Sequence, residues 1–145
     1  MTNEFKITRE LLKPMVYQKD RDIELLYNDI YREYHFYVLN LGTHPTAYVE
    51  IPKNHKYFQK SYIDVENIYV HGGLTYSDDY LMTSYSTIMK NSWFIGWDYG
   101  HCDDYCFDLN DGKIWTTEEI IEDCINVINQ LNDEEIEVLW CQKNI

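Results

Sequence analysis

The sequence predicts an α+β protein: a mainly antiparallel sheet of about five strands, with an N-terminal amphipathic helix and a C-terminal helix packed on it. Short runs rich in aromatic and β-branched residues, separated by turn residues, predict the strands. Apolar residues at helical spacing and a helix-capping motif predict the two helices. At 145 residues, with 45% hydrophobic and 26% charged residues, the chain is expected to fold as a single domain spanning residues 1–145.

The first predicted helix covers residues 22–34. Its apolar side chains recur at i, i+3, i+4, i+7 and i+11, with charged residues between them. This stripe consists of Ile23, Leu26, Tyr27, Ile30 and Tyr34. The spacing is typical of an amphipathic helix that packs one face on a sheet.

Two hairpins are predicted next. Residues 36–41 and 46–51 are rich in aromatic and β-branched residues, and a turn from Gly42 to Pro45 separates them. Residues 65–70 alternate as a third strand does, and Gly72-Gly73 is expected to reverse the chain into residues 74–76.

Residues 77–92 are rich in Ser, Thr, Tyr and Asp without regular periodicity, and they are expected to form a long loop. Residues 93–99 (WFIGWDY) are the most apolar run and predict a strand in the middle of the sheet. Gly96 within this run would allow a close backbone approach or a bulge. Strand alternation places Phe94, Gly96 and Asp98 on one face of it.

The last helix has the clearest signals. Thr116 and Glu119 form a capping box, and Trp115 and Ile120 can form a hydrophobic staple. Its predicted buried stripe consists of Ile121, Cys124, Ile125, Ile128 and Leu131. After Asn132, alternation at Ile136, Val138 and Trp140 favours a terminal edge strand, with a continued helix as the alternative.

Charge divides the chain into two unequal halves. Residues 1–60 contain nine Lys/Arg and eight Asp/Glu, whereas residues 61–145 contain three and 17, so the net charges are +1 and −14. An acidic half of this strength repels nucleic acid and favours a basic protein surface or cations. A solvated, solubilising face is the alternative interpretation.

Other features limit the function classes. No run approaches the roughly 20 apolar residues that span a bilayer, and the first residues lack the features of a signal peptide. A cytoplasmic protein without membrane association is therefore expected. The sequence also lacks a phosphate-binding P-loop, a dinucleotide glycine fingerprint and a nucleophile-elbow motif.

Chemistry-bearing residues concentrate between His71 and Asp104. If strand ends bring them together, His71, Asp98 and His101 would be the catalytic residues of an acid–base enzyme. Asp98, His101, Asp103 and Asp104 also offer oxygen and nitrogen ligands to a divalent metal. A turn histidine and a carboxylate that caps loop amides are the structural alternatives. As a binding surface, the same region presents Tyr76, Trp97, Asp103, Asp104, Tyr105 and Asp108.

Four segments together resemble a family of small uncharacterised proteins carried by phages and mobile elements of low-GC bacteria. They are THPTAYVEIP, HGGLTY, WFIGWDYGH and WTTEEIIEDC, within roughly residues 40–131. The resemblance implies an accessory protein that interferes with host defence, anti-CRISPR or anti-restriction-like, in the host cytoplasm. Binding to a basic surface of a host or defence protein, without direct nucleic-acid contact, fits the acidic half.

Two other functions stay open on the sequence. One is a small metal-assisted or His/Asp acid–base hydrolase that uses His71, Asp98, His101 and Asp104. The other is capture of a small nucleotide signal in an aromatic pocket around His71 and Trp97, although few Lys or Arg follow residue 60 to bind its phosphates.

Overall fold

A computed structural model of the chain describes residues 5–107 and 111–143, with side chains as far as residue 134. The fold is α+β, as the sequence predicts: five antiparallel strands and one C-terminal helix. The elements are β1 (Glu24–Tyr31), β2 (Tyr34–Asn40), β3 (Pro45–Glu50), β4 (Tyr76–Met82), β5 (Thr87–Asp98) and α1 (Thr117–Lys143). Within the described residues, no helix combines the length and apolarity that a membrane crossing requires.

The strands follow the order β1-β2-β3-β5-β4, so β3 lies in the middle and β5 beside it. One sheet face packs against α1, and Ile95 and Trp97 of β5, with Tyr99 just after it, belong to the core between them. The opposite face carries a smaller apolar cluster around Tyr37, Leu81 and Phe94. The predicted alternation along β5 is therefore confirmed, since odd- and even-numbered residues enter different clusters.

The prediction of an N-terminal amphipathic helix is wrong. Residues 22–34 contain β1 and the turn into β2, and among residues 5–21 the structure has only a short 3-10 turn at Arg9–Leu11 as a helical element. A β-bulge between Leu25 and Tyr27 shifts the strand register, and Leu26 and Tyr27 are both buried although they are consecutive. The bulge breaks the two-residue alternation and imitates helical spacing. Ile30, on the predicted stripe, is 52% exposed.

The β1–β2 turn also lacks a recognisable sequence signal. Arg32 and Glu33 both have positive φ, 50° and 69°, as the tightest hairpin turns require. Such turns usually contain Asn or Gly, whose backbones adopt positive φ at low cost. Two charged residues with longer side chains therefore gave no indication of a hairpin here.

Three further expectations on strands need correction. Residues 65–70 form no strand: both backbone groups of Tyr69 are bonded to the side-chain amide of Gln130 on α1 instead of to a neighbouring strand. The predicted loop 77–92 is most of the β4–β5 hairpin. Its register shifts at two places, which hides the alternation. The terminal strand after Asn132 is instead a continuation of α1 to Lys143.

Other expectations are confirmed. The β2–β3 hairpin forms with a turn that includes Gly42, whose φ is 95°. The capping box of α1 is reciprocal: Thr116 Oγ1 accepts from the Glu119 N–H at 3.2 Å, and Glu119 Oε1 accepts from the Thr116 N–H at 3.0 Å. The predicted helix stripe is buried except for Ile125, which is half-buried and packs at its margin.

The tip of the β4–β5 hairpin reaches the start of β1, so the sheet curls strongly. The Ser84 N–H donates to the Ile23 carbonyl at 3.2 Å, and the Ile23 N–H donates to Ser84 Oγ at 2.7 Å. The Tyr85 hydroxyl donates to the Asp22 carboxylate. These contacts, here called the hairpin clasp, cover one end of the face opposite α1 and form a wall of a groove there.

We expect Ile128→Asp to destabilise the protein by about 3 kcal/mol or more, because Ile128 is fully buried against the sheet and an unpaired carboxylate would replace it. Asn126→Asp is the matched control, since it adds the same charge to the exposed face of the same helix. Chemical denaturation of both variants measures the difference. Equal free energies of unfolding would contradict the position of α1.

Candidate functional site

Three segments meet where β5 ends: the turn at residues 71–73, the loop at residues 98–107, and the start of α1. His71 and Asp104 pair across this junction, with His71 Nε2 2.7 Å from Asp104 Oδ2. Asp104 is 1% exposed, whereas the His71 side chain is partly open to solvent. A buried carboxylate therefore orients a half-exposed imidazole.

Asp104 accepts two more hydrogen bonds. The His101 N–H donates to Oδ2 at 3.0 Å, and the Trp115 indole N–H donates to Oδ1 at 2.8 Å. Burial opposes ionisation of the Asp104 carboxyl, but the hydrogen bonds from His71, His101 and Trp115 outweigh it and lower the pKa of Asp104. The carboxylate is thus held ionised in a site that excludes water.

Aromatic rings fix the imidazole of His71 in place. It stacks on Tyr99 with centroids 5.2 Å apart and an interplanar angle of 6°, and Trp115 lies 4.8 Å from each of these rings. Tyr99 in turn donates from its hydroxyl to Asp123 Oδ2 at 2.6 Å. Burial, together with this hydrogen bond, raises the pKa of Tyr99. The site is therefore connected to the second turn of α1.

His101 occupies the space over Gly72. A Cβ at Gly72 would lie 2.1 Å from His101 Nε2, so only glycine admits the ring there. His101 Nε2 is 3.4 Å from Asp98 Oδ1, is buried, and has no hydrogen-bond partner among the described residues. Asp98 accepts hydrogen bonds from Thr75 Oγ1 at 3.1 Å and from the Gly100 N–H at 3.0 Å.

The structure brings the three predicted catalytic residues together. The rings of His71 and His101 are 5.7 Å apart, and Asp98 lies beside His101. The carboxylate that pairs with His71, however, is Asp104 rather than Asp98. The sequence analysis counted Asp104 among the candidate metal ligands, hydrolase residues and binding residues but did not pair it with His71. Four acidic and histidine residues lie within seven positions, and nothing local shows which one is buried.

Two glycines of this region, Gly72 and Gly96, leave no open space for a ligand. Gly72 is covered by His101, and a Cβ at Gly96 would lie 2.4 Å from the ring of Tyr48. Tyr48 is the cross-strand partner of Gly96 and packs edge-on against Tyr76, 5.1 Å away. Both glycines accommodate neighbouring side chains.

The predicted binding residues do not form one surface. Trp97 is 1% exposed in the main core, where its indole N–H donates to Tyr99, so it offers no face to a ligand. Tyr76 lies on the opposite sheet face. Tyr105 is half-buried, edge-on against Tyr17 at 4.7 Å. Asp103 is exposed, and Asp108 lies outside the described residues.

Three members of the site were missed. Trp115 was assigned only to the hydrophobic staple, although a buried indole N–H requires a hydrogen-bond acceptor nearby. Tyr99 was treated as a strand residue. His44 lies against Gly100, where a Cβ would be 3.1 Å from its ring, and burial lowers the pKa of His44. Because His44 lies far from the other site residues in the sequence, no local pattern indicated that it would be close to them.

A metal site is not formed by these side chains. Across residues 5–107 and the described side chains of α1, no group of three or more His, Cys, Asp or Glu residues is arranged to hold a metal ion. The two pairs, His71–Asp104 and Asp98–His101, are separate. They can orient imidazoles and move protons, which is what acid–base chemistry requires.

Carboxylates surround this junction on the outside. We call the set the acidic end; its members, exposed or half-exposed, are Asp98, Asp103, Asp111, Glu118 and Glu122. Nearby cations are already engaged: Lys113 Nζ lies 2.8 Å from Glu119 and 3.9 Å from the centre of the Trp115 ring, and Arg9 faces Glu118 at 3.7 Å. Ile114, 61% exposed, adds an apolar side chain.

The chain matches no protein-family model, and comparisons with curated proteins and with solved structures find no relative. The geometry of the site is therefore the basis on which function is inferred.

Substitution of Gly72 tests the close contact between Gly72 and the ring of His101. Gly72 and Gly73 both have positive φ, 69° and 79°, but a Cβ at Gly73 meets nothing within 4 Å. Gly73→Ala thus controls for backbone strain alone. We expect Gly72→Ala to be less stable than Gly73→Ala by about 1–3 kcal/mol. The difference should vanish in a His101→Ala background, and its persistence there would contradict the contact.

Asp104→Asn should destabilise the protein by about 1–3 kcal/mol at neutral pH, because one of the buried donors would lose an acceptor. Since the folded-state pKa of Asp104 lies below its ordinary value, its contribution is present above about pH 4 and is lost as pH falls through the lower folded-state pKa. Unfolding measured from pH 7 to pH 2 should therefore show the two proteins converging in acid. A constant difference would contradict an ionised Asp104.

Proposed function

We propose that the protein acts by binding, and that its acidic end engages a basic surface of another protein. The observation that carries this proposal is that three exposed carboxylates of the acidic end, Asp103, Asp111 and Glu122, have no ion-pair partner among the described residues. Unneutralised carboxylates attract Lys- and Arg-rich surfaces and repel nucleic acid. A protein partner is therefore favoured over a polynucleotide.

Charge and apolar contacts would contribute differently. An exposed ion pair is worth only about 0–1 kcal/mol, so the carboxylates would mainly accelerate encounter and select a basic partner. Affinity would require an apolar anchor, and Ile114 is 61% exposed beside these charges. Half-buried Tyr105 offers a ring edge close by.

The class of partner follows from the same charge. Proteins that handle nucleic acid present basic grooves to phosphate, and a compact acidic surface can compete for such a groove. Together with the resemblance to phage-borne proteins, this favours an antagonist of a host defence system, anti-CRISPR or anti-restriction-like. The protein would act by occupying the groove of its target.

Charge reversal tests the acidic end. A variant with Asp103→Lys, Asp111→Lys and Glu122→Lys should lose its partner, because these exposed carboxylates would then repel a basic surface. The matched control reverses Asp64, Glu66 and Asp133, which are exposed away from this end and change the net charge equally. Buried Asp104 is left intact, so that folding is not disturbed.

The measurement is affinity capture from host cells with wild type and both variants, followed by binding of the captured protein at increasing salt. A partner retained by the control, lost by the acidic-end variant and weakened by salt is the expected result. A partner that all three proteins capture equally, or an affinity independent of salt, would contradict the proposal.

A second candidate is an acid–base hydrolase, favoured by the pairing of half-exposed His71 with the buried, ionised carboxylate of Asp104. In such an enzyme Asp104 would set the imidazole tautomer and His71 would move the proton. The two functions differ in their mutational pattern. Catalysis requires His71 and tolerates the acidic-end reversal, whereas binding tolerates His71→Gln. Plating of phage on a defended host, with both variants, distinguishes them.

A further inference from the structure

Three of the five histidines in the chain lie together at the junction that the acidic end surrounds. We call His44, His71 and His101 the histidine cluster. The rings of His71 and His101 are 5.7 Å apart. The ring of His44 lies against Gly100, and a charge on His44 would be repelled by one on His101. Several rings that can gain a positive charge are therefore concentrated at the end of the molecule that carries the carboxylates.

Uptake of protons by the cluster leaves its hydrogen bonds in place. Because the Asp104 carboxylate is ionised, His71 Nε2 must donate to it, and the lone pair is on His71 Nδ1, which has no hydrogen-bond partner among the described residues. His44 uses only Nδ1, which lies 3.0 Å from Thr43 Oγ1. In the same part of the chain, His101 makes no side-chain hydrogen bond. Each ring thus has a nitrogen that can accept a proton.

Two carboxylates face the cluster from the end of β5 and from the loop after it. Asp98, a member of the acidic end, has Oδ1 3.4 Å from His101 Nε2, and Asp104 pairs with His71 at 2.7 Å. Burial lowers the pKa of His44, whereas the charges of Asp98 and Asp104 act in the opposite direction. His44 is therefore expected to take up its proton at a lower pH than an ordinary histidine.

The start of α1 adds further charged groups. A charge on His71 interacts with the carboxylate of Asp123, and burial raises the pKa of Asp123, so a proton taken up there changes the charge in the same direction. Lys113 is 2.8 Å from Glu119, and this pair is neutral as a whole. Two groups of the same region stay uncharged, because burial raises their pKa values: the Tyr99 hydroxyl and the Cys106 thiol.

We propose that the histidine cluster makes binding at the acidic end depend on pH, so that a basic partner is held at neutral pH and released in mild acid. This inference rests on the binding proposed above. Histidine ordinarily changes its charge between about pH 5 and 8, whereas Asp, Glu and Lys ordinarily do so outside this range. Each proton taken up adds a positive charge beside the carboxylates, which weakens their attraction for Lys and Arg. Affinity for a basic partner therefore falls as the pH falls.

The probe for the test is a fluorescent oligolysine peptide, whose own charge is constant between about pH 7.5 and 5.5. Fluorescence anisotropy at one ionic strength measures its affinity at both pH values. We expect wild type to bind it about fivefold or more weakly at the lower pH, because the added charges oppose the peptide. The variant with His44→Gln, His71→Gln and His101→Gln should bind equally at both, with the affinity of wild type at the higher pH.

His35→Gln is the matched control. His35 is exposed and pairs with Ile30 near the β1–β2 turn, at the end of the sheet remote from Asp98. This variant should keep the full pH dependence. His55 is left unchanged, because backbone groups of Tyr57 and Leu131 engage both of its ring nitrogens.

His71→Gln alone keeps the test independent of the folding of the triple variant, since a glutamine amide can still donate to Asp104. It should lose part of the pH dependence. Melting temperature at both pH values verifies that each protein is folded.

The outcomes separate this inference from the proposed function. Absence of oligolysine binding at about pH 7.5, or binding that persists after Asp103→Lys, Asp111→Lys and Glu122→Lys, would overturn both. Binding that this acidic-end variant loses, but that wild type shows equally at both pH values, would overturn the role of the histidines alone. A pH dependence that the folded histidine variants keep in full, or that His35→Gln removes, would also overturn that role alone.

Discussion

The buried carboxylate of Asp104 is the interaction on which the arrangement of the site depends. Ionised and 1% exposed, it would be strongly unfavourable without partners, at a cost of several kcal/mol. Its three donors come from three parts of the chain: the glycine turn through His71, its own loop through His101, and the start of α1 through Trp115. Because each hydrogen bond helps to offset the same burial cost, the three segments hold one another in place.

A second constraint comes from the way the sheet is covered. Helix α1 packs on one face, whereas the other has no helix among the described residues and is covered in part by its own β4–β5 hairpin, which curls until Ser84 bonds Ile23. Tyr48 lies over Gly96 on this face and restores the packing that the glycine lacks. The curl covers one end of this face and forms a wall of the groove there.

Sequence reasoning succeeded where signals were local and failed where they depended on register or distant partners. The capping box at Thr116 and Glu119 needs only neighbouring residues, and it forms as expected. Strand β1 was taken for a helix because a bulge places Leu26 and Tyr27 both inside. The strand predicted for residues 65–70 does not form for another reason. Gln130, 61 positions from Tyr69, makes the hydrogen bonds of the Tyr69 backbone that a neighbouring strand would otherwise make.

In the site, too, local signals gave correct predictions and contacts with distant partners were missed. The meeting of Asp98 and His101 followed from a strand end and a short loop, and the distance agrees. His71 also lies near His101, although the strand over residues 65–70 that was expected to place it does not form. The carboxylate that pairs with His71 could not be predicted from the sequence. The choice depends on the Trp115 indole, which the start of α1 brings to the site. Adjacent aspartates at positions 103 and 104 therefore have different roles. Asp103 faces solvent at the acidic end, whereas Asp104 organises the interior.

The strongly acidic half of the sequence supplies one end of the fold. The acidic end draws its carboxylates from β5, the following loop and α1, all in the half with net charge −14. The groove beside the hairpin clasp is lined mostly by the half with net charge +1, where Lys13 and Arg21 lie among Asp20, Asp22 and Glu24. Lys13 joins the two regions, because its carbonyl accepts from Thr117 in the first turn of α1.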